Sequence, residues 1–174
     1  MNTRNRFDRK DSLERGARAQ KKFIRAAYAR GWRVAGPIHR QDMDEHWDVR
    51  IEKGAEKFRV DIKAMKRIAR ADERAQDEWV WIELHGVRAH DRGWLLDGKA
   101  ELIAFETQNS FLLVPRANLA ARISDWVDSQ TIVDSPERAQ YKVYQRAGRV
   151  DKIALIETQR LKEIQWAEWN TEAS

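Results

Sequence analysis

The sequence predicts an α/β fold in which a mixed β-sheet is flanked by helices. Apolar residues recur at helical spacing near the N-terminus and again after Pro115, which indicates two helices. Between and after these helices, apolar and polar residues alternate in short segments, as they do in half-buried strands. With 174 residues the chain fits one domain, which we place at residues 12–174, behind a flexible basic arm at residues 1–11.

The first helix is predicted to run from Ser12 to about Arg30. Ser12 is a favourable N-cap residue, and Gly31 stands where a helix commonly stops. The residues expected to form its apolar stripe are Leu13, Ala17, Ile24, Ala27 and Tyr28. The basic residues expected on its other faces are Arg15, Arg18, Lys22 and Arg25. We expect this basic set to remain available for phosphate groups.

A β-hairpin is predicted at residues 47–63. Apolar residues occupy every second position of Trp47–Glu52 and again of Phe58–Lys63, while residues 53–55 suit a turn. One face of the hairpin is therefore expected to lie on a core, and the other face carries charged side chains. In the first strand the core face is predicted to consist of Trp47, Val49 and Ile51.

The remaining elements follow from the same patterns. Further strands are expected at Glu78–Leu84, Trp94–Leu96, Ala100–Glu106, Phe111–Val114, Tyr141–Gln145 and Ile153–Glu157. A second helix is predicted from Pro115 to about Val127, since proline suits the first position of a helix. Residues 66–77 are expected to form a short helix or a mobile loop, and a short helix is expected at the C-terminus.

The composition excludes several classes of protein. The chain has no cysteine, which rules out a disulfide scaffold, a thiolate zinc site and a cysteine nucleophile. No stretch approaches the roughly 18 to 20 apolar residues of a membrane helix, and no signal-peptide core follows the N-terminal arginines. We therefore expect a cytoplasmic protein without a membrane partner.

The positive charge is concentrated in one part of the chain. The formal net charge is +5, and residues 1–30 contain ten Lys or Arg against three Asp or Glu. The remainder of the chain is therefore slightly acidic. This asymmetry favours a polyanionic partner such as DNA. Lys66, Arg67 and Arg70 form a second basic group suited to phosphate contact, or a solvated charge run.

The candidate catalytic residues are Glu14, Asp48, Asp61 and Lys63. Side chains two apart on a strand share a face, so Asp61 and Lys63 project together. The hairpin can bring Asp48 beside them, and Glu14 is available from the first helix. The sequence therefore predicts carboxylates and an amine gathered at one site.

Cleavage of a phosphodiester bond would give each of these groups a task. Asp48 and Asp61, with the main-chain carbonyl of Ile62 as a further candidate, are expected to bind Mg²⁺, for which Mn²⁺ can substitute. Lys63 is expected to polarise the attacking water and to stabilise the negative charge that develops on the phosphorane during attack. Glu14 is expected to act as an outer ligand or to orient a water.

With these residues in place, the chain resembles the PD-(D/E)xK nuclease superfamily, and within it the archaeal Holliday-junction resolvase-like and phage or repair endonucleases. The resemblance covers about residues 12–127 and rests on Glu14 in a helix, Asp48 at one strand and Asp61-Ile62-Lys63 on the next. Trp47 stands where the motif has its proline. The resemblance implies a restriction-endonuclease-like αβββαβ core, divalent-metal catalysis, DNA as substrate and a bacterial or phage-infected host cell.

The same residues allow other interpretations. Asp61 and Lys63 suit a charge pair on a solvated sheet face, and Glu14 near the start of a helix complements the helix dipole. A non-catalytic DNA-binding module with a nuclease-like fold is the alternative function, and an interaction protein that imitates the motif is a third.

Several residues outside the motif allow two interpretations. The position of Glu83 is compatible with a further metal ligand or with a residue at the edge of a strand. The four histidines fit the pattern of solvated loop residues better than that of a zinc site. The acidic run Asp42, Asp44 and Glu45 is too unspecific to assign. Trp32, Trp47, Trp79 and Trp81 favour a core over a base-stacking platform. Trp166 and Trp169 suit the packing of a last helix or the seal of a homodimer.

Overall fold

The computed structural model describes residues 3–37, 45–69, 71–86, 90 and 92–171, with the backbone alone for residues 3–10. The helices are α1 (Thr3–Ala29), α2 (Gly93–Asp97), α3 (Arg116–Trp126) and α4 (Thr158–Lys162), with a 3₁₀ turn at Pro136–Arg138. The strands are β1 (Arg33–Ala35), β2 (Val49–Lys53), β3 (Glu56–Lys63), β4 (Trp79–His85), β5 (Leu102–Glu106), β6 (Ser110–Pro115), β7 (Asp128–Val133), β8 (Lys142–Gln145), β9 (Lys152–Glu157) and β10 (Ala167–Asn170).

The strands of the described chain form two sheets. The larger sheet has the order β1-β2-β3-β5-β6-β10, and the smaller has the order β4-β9-β8-β7. In the larger sheet, β3 and β5 are parallel and the other neighbouring pairs are antiparallel. The parallel pair lies at the centre, so the C-terminal ends of β3 and β5 meet at one edge of the sheet.

Alternation along β5 and β6 assigns the two faces of the larger sheet to two different cores. Leu102 and Ala104 pack beneath α1, whereas Ile103 and Phe105 pack against α3 and the smaller sheet. Successive side chains of a strand point to opposite faces, and here both faces are covered by apolar partners. The larger sheet is thus the middle layer between α1 and the smaller sheet, which explains why β5 is buried throughout.

Helix α1 differs from its prediction in both its start and its buried face. It begins at Thr3 rather than after Ser12, and its predicted stripe residues Leu13 and Tyr28 are 66% and 58% exposed. The buried face consists of Ala19, Phe23, Ala26 and Ala27. Phe23 is the large residue of this face, and its ring contacts Phe111 and Trp169 at centroid distances of 5.3 and 5.4 Å.

Two other predicted elements differ from the structure, and one strand has no counterpart among the predictions. Residues 94–96 lie in α2 and not in a strand, and the terminal segment contains β10 after α4. Strand β7 is not predicted from the sequence, because Asp128–Val133 is mostly polar and exposed. The segment 66–77 contains no helix in its described part, and Lys66 forms an isolated bridge with Gln76.

The hairpin, the second helix and the strands β4, β5, β6, β8 and β9 are confirmed near their predicted positions. The predicted fold class, a mixed sheet flanked by helices, is therefore confirmed. From α1 to β5, the elements follow one another in the order α1, β1, β2, β3, β4, α2 and β5. Without β4, which belongs to the smaller sheet, this order is one helix, three strands, a short helix and a strand. No described helix is long and apolar enough to span a membrane.

Candidate active site

Asp61 and Lys63 meet on one face of β3, as the strand period predicts. Their apolar neighbours Val60 and Ile62 belong to the core beneath α1, so Asp61 and Lys63 point to the opposite face. The Lys63 Nζ atom lies 2.7 Å from Asp61 Oδ2. Asp61 is only 5% exposed, and its Oδ2 accepts no hydrogen bond of good geometry from any residue that the structure describes. The partner of this buried oxygen is thus the Lys63 ammonium, through an ion pair.

Asp48 joins this pair through the backbone of β3. Its carboxylate Oδ2 accepts a hydrogen bond of 2.6 Å from the Ile62 amide, between the two functional side chains. The Asp48 amide donates a hydrogen bond of 2.8 Å to the Val60 carbonyl. In the regular register of β2 and β3, however, the residue opposite Val60 is Val49 and not Asp48. The strand pattern therefore breaks at Asp48, and its side chain is held against β3.

The same break corrects the prediction for Trp47. The sequence pattern places Trp47 on one face with Val49 and Ile51, but only these two lie beneath α1. Trp47 is buried in the other core, and its indole Nε1 donates to Glu45 at 2.8 Å.

Lys63 has a second neighbour that the sequence does not reveal. Its Nζ lies 4.6 Å from the centroid of the Trp94 ring, at the start of α2. The Trp94 amide donates to Glu83 Oε2 at 3.2 Å, so Glu83 on β4 supports the segment that carries the ring. The sequence gives no signal for this role of Trp94, because its short apolar segment predicts a strand.

Lys66 places a second ammonium group near the cluster. Desolvation lowers the pKa of Lys66, the positive charge of Lys63 lowers it further, and the carboxylates of Glu83 and Asp61 act in the opposite direction. Arg15 on α1 is close enough to contribute to the same shift.

Glu106 is a buried acid that the sequence analysis does not single out. It ends β5 beside the end of β3 and is 7% exposed. It accepts hydrogen bonds of 2.7 Å from Lys22 on α1 and of 3.2 Å from the Met65 amide. Glu106 therefore ties α1 to the chain that leaves Lys63. A carboxylate directly after four apolar residues is the available signal in the sequence.

The other predicted site residues are distributed along α1 and the segment after β3. Glu14 is exposed on α1, and its role as an outer ligand stays a prediction. Arg15 pairs with Asp11, which also lies 3.7 Å from Arg67. Lys22 is bound to the buried Glu106 and is not a free cation, whereas Arg18 and Arg25 are exposed. Arg70, Asp42 and Asp44 lie outside the described residues.

Within the described part of the chain, no three His, Asp or Glu side chains form a group that could hold a metal ion. Of the four histidines, His39 lies outside the described residues, and the His85 ring nitrogen Nδ1 lies 2.8 Å from the neighbouring Gly86 carbonyl oxygen.

Two cavities help to define the site. A cavity of about 30 Å³ beside Lys63 is lined by Trp79, Trp81, Trp94 and Glu106, and it has room for a water but not for a nucleobase. A wider depression of about 560 Å³ lies at the β5–β6 turn. Carboxylates of Asp77, Glu78, Glu157 and Glu168 surround the wider depression, so it is unsuited to a polyanion.

The fold and these contacts define a mixed-sheet α+β protein that gathers two carboxylates and two lysine ammonium groups at the end of a parallel strand pair. The sequence matches no family model and no curated protein. Among solved structures, the chain is similar to a bacterial homing endonuclease, I-Ssp6803I, with a TM-score of 0.46 and 14% sequence identity. The match covers 63% of this chain and 72% of that chain.

Proposed function

We propose that the protein is a metal-dependent DNA endonuclease of the PD-(D/E)xK type, which hydrolyses phosphodiester bonds with Asp48, Asp61 and Lys63. The observation that carries this proposal is the Asp61 carboxylate. It is 5% exposed, its Oδ2 lies 2.7 Å from the Lys63 ammonium, and the Ile62 amide between these two residues binds the Asp48 carboxylate. Two carboxylates and an ammonium group therefore meet near the end of β3, and this set of groups suits metal-dependent hydrolysis of a phosphodiester.

These carboxylates suit Mg²⁺ or Mn²⁺. Asp61 offers the Oδ2 that faces the Lys63 ammonium, and Asp48 is oriented beside it by the Ile62 amide. Two carboxylates are enough, because Mg²⁺ keeps several of its waters and takes few protein ligands. The main-chain carbonyl of Ile62 remains a candidate third ligand. When bound, the ion would neutralise phosphate charge and lower the pKa of a coordinated water.

The protein's own groups would then direct the displacement at phosphorus. A water oxygen forms the new bond to phosphorus and gives up a proton to solvent. The bond to the leaving sugar oxygen breaks with its electron pair, and that oxygen takes a proton from solvent. Lys63 has three N–H donors and no lone pair, so it can donate to the attacking water and to a non-bridging phosphate oxygen. Lys66 lines the same cavity as Lys63.

The first test is a cleavage panel with the full chain. Labelled branched, duplex and single-stranded DNA should be incubated with Mg²⁺, Mn²⁺ or excess EDTA and analysed on denaturing gels. The resemblance to Holliday-junction resolvases makes a branched substrate the first choice. We expect internal cleavage that requires Mg²⁺ or Mn²⁺ and stops with EDTA. DNA binding without cleavage of any substrate would favour the non-catalytic binding module instead.

The basic face of α1 is the proposed track for the DNA backbone. Replacing Arg18 and Arg25 together by Gln should weaken DNA affinity and reduce the log-log salt slope by about 0.9 for each phosphate that the variant no longer neutralises. These two arginines are exposed and form no ion pair in the described chain, so their removal leaves the fold intact. Lys22 is unsuitable for this test, because its loss would leave Glu106 buried without its cation.

A matched control is the double replacement of Arg122 and Arg138 by Gln. Both are exposed arginines far from α1 in the sequence, at 52% and 69%, and the change removes the same net charge. Fluorescence anisotropy over a range of salt concentrations measures both variants. Equal slopes in the two variants would mean that α1 does not contact the DNA backbone.

A further inference from the structure

The contact between Lys63 and Trp94 has no part in the proposal above. The Lys63 ammonium lies 4.6 Å from the centroid of the Trp94 ring, within the range of a cation–π interaction. Trp94 is 6% exposed and belongs to the core between the two sheets, where its ring also meets Phe105 edge-on at 6.2 Å. The ring is therefore a fixed wall of the site and not a mobile surface residue.

The segment that carries the ring is anchored on both sides. At its start, the Trp94 amide donates to Glu83 Oε2. Gly93 has a φ of +77°, and a Cβ there would lie 3.0 Å from Glu83 Cγ, so only glycine allows this close approach. At its end, Arg116 donates to the Leu95 carbonyl at 2.8 Å and to the Ala100 carbonyl at 2.9 Å. These contacts hold the ring in place before any substrate arrives.

We propose that Trp94 and Glu83 are positioning residues for Lys63: the Trp94 face holds the ammonium in the site, and Glu83 fixes the segment that carries that face. This inference rests on the proposed function for the meaning of Lys63, although the contact itself can be tested without activity. Neither residue needs to touch the substrate in this role.

The physical need for such a device follows from Asp61. Once Asp61 Oδ2 serves a metal ion, it holds Lys63 less strongly. A lysine has a flexible four-carbon chain, and unrestrained it would turn towards solvent. An aromatic face attracts the charge of the ammonium without consuming a particular N–H donor. The donors therefore stay available for water and phosphate while the nitrogen remains in place.

Substitution of Trp94 measures the effect on cleavage. Trp94→Leu should lower the single-turnover cleavage rate about 10-fold, and Trp94→Phe, which retains an aromatic face, only about 3-fold. Metal affinity should be unchanged in both variants. The control is Trp169→Leu, which removes an equally buried tryptophan, 5% exposed, from the core beneath α1. We expect this control to lose stability and to cleave at the original rate at a temperature where all variants are folded.

A spectroscopic measurement tests the contact itself. In protein with ¹³C-labelled lysine, the ring current of Trp94 should move the ε-methylene signal of Lys63 upfield, with the signal assigned by its absence in Lys63→Met. The shift should disappear in Trp94→Leu and persist in Trp169→Leu. An unshifted Lys63 signal in the wild-type protein would overturn the inference, whatever the enzyme does.

Replacement of Glu83 shows whether this residue supports the segment that carries Trp94 or binds the metal ion. Glu83→Gln keeps an oxygen that can accept the Trp94 amide proton, so it should keep the cleavage rate, the metal affinity and the Lys63 shift. Glu83→Ala should reduce the rate and the Lys63 shift as Trp94→Leu does. A loss of metal affinity in Glu83→Gln would make Glu83 a ligand and contradict its positioning role. Should the wild-type protein cleave no DNA, the proposed function fails, while the Lys63 signal still decides whether Trp94 holds the ammonium.

Discussion

Asp61→Asn is expected to abolish metal-dependent cleavage, with a loss of about 1000-fold or more, because a charged ligand accounts for several kcal/mol at such a site. Asparagine keeps the shape of the side chain but removes the charge that attracts the ion. The metal-dependent rise in melting temperature should disappear with the activity, whereas DNA affinity in EDTA should stay close to that of the wild-type protein. Single-turnover cleavage, thermal melting with and without Mg²⁺, and anisotropy measure the three effects.

The fold is expected to survive this change. Lys63 is 23% exposed, so it can be solvated when its anionic neighbour is gone. The matched control is Asp151→Asn, since Asp151 is also 5% exposed and pairs with Arg146 on the β8–β9 turn. The control should lose stability and retain both cleavage and the metal-dependent melting shift. Full cleavage activity in Asp61→Asn would remove Asp61 from the metal site.

Lys63→Ala is expected to lose cleavage by about 100-fold to 1000-fold while it still binds the metal ion. The ammonium has no lone pair for Mg²⁺, so its proposed work concerns the water and the phosphate. Its removal also takes a positive charge from beside Asp61 Oδ2, so metal affinity should stay equal or rise. Calorimetry measures the affinity, and single-turnover cleavage at saturating metal measures the chemistry.

Lys63→Met is the companion variant, because it keeps the length and apolar stem of the side chain without its charge. Both variants should behave alike if the charge is what matters. Should either variant cleave at the wild-type rate, Lys63 is only the partner of Asp61 in an ion pair, the D-x-K match is accidental, and the non-catalytic DNA-binding module becomes the better interpretation.

The arrangement of Asp61 and Lys63 on one face could be predicted because it depends on the local backbone alone. In an extended strand every second side chain points the same way, and the residues at 58, 60 and 62 identify the opposite face as the apolar one. The same reasoning located the β4, β5, β6, β8 and β9 strands. It failed for residues 94–96, because an apolar run of three residues has no period that separates a strand from a helical turn.

The neighbours of Lys63 could not be predicted, because they come from distant parts of the chain. Trp94 reaches Lys63 only after β4 joins the second sheet and Glu83 holds the start of α2. Glu106 meets Lys22 across 84 positions, once β5 lies parallel to β3. No local pattern encodes such pairings, since both partners are set by the packing of whole elements.

The sequence by itself determined the strand faces, the hairpin and the pairing of Asp61 with Lys63, since these depend on backbone periodicity over a few residues. The tertiary structure alone decided which face of α1 is buried, where the register breaks at Asp48, and which groups surround Lys63. More than one face of α1 is partly apolar, and the buried face is the one on which Phe23 packs with Phe111 and Trp169. The physical reason is that a helix face is buried only where it contacts the surface of another element. The local sequence of the helix describes its own surface and not the surface that will cover it.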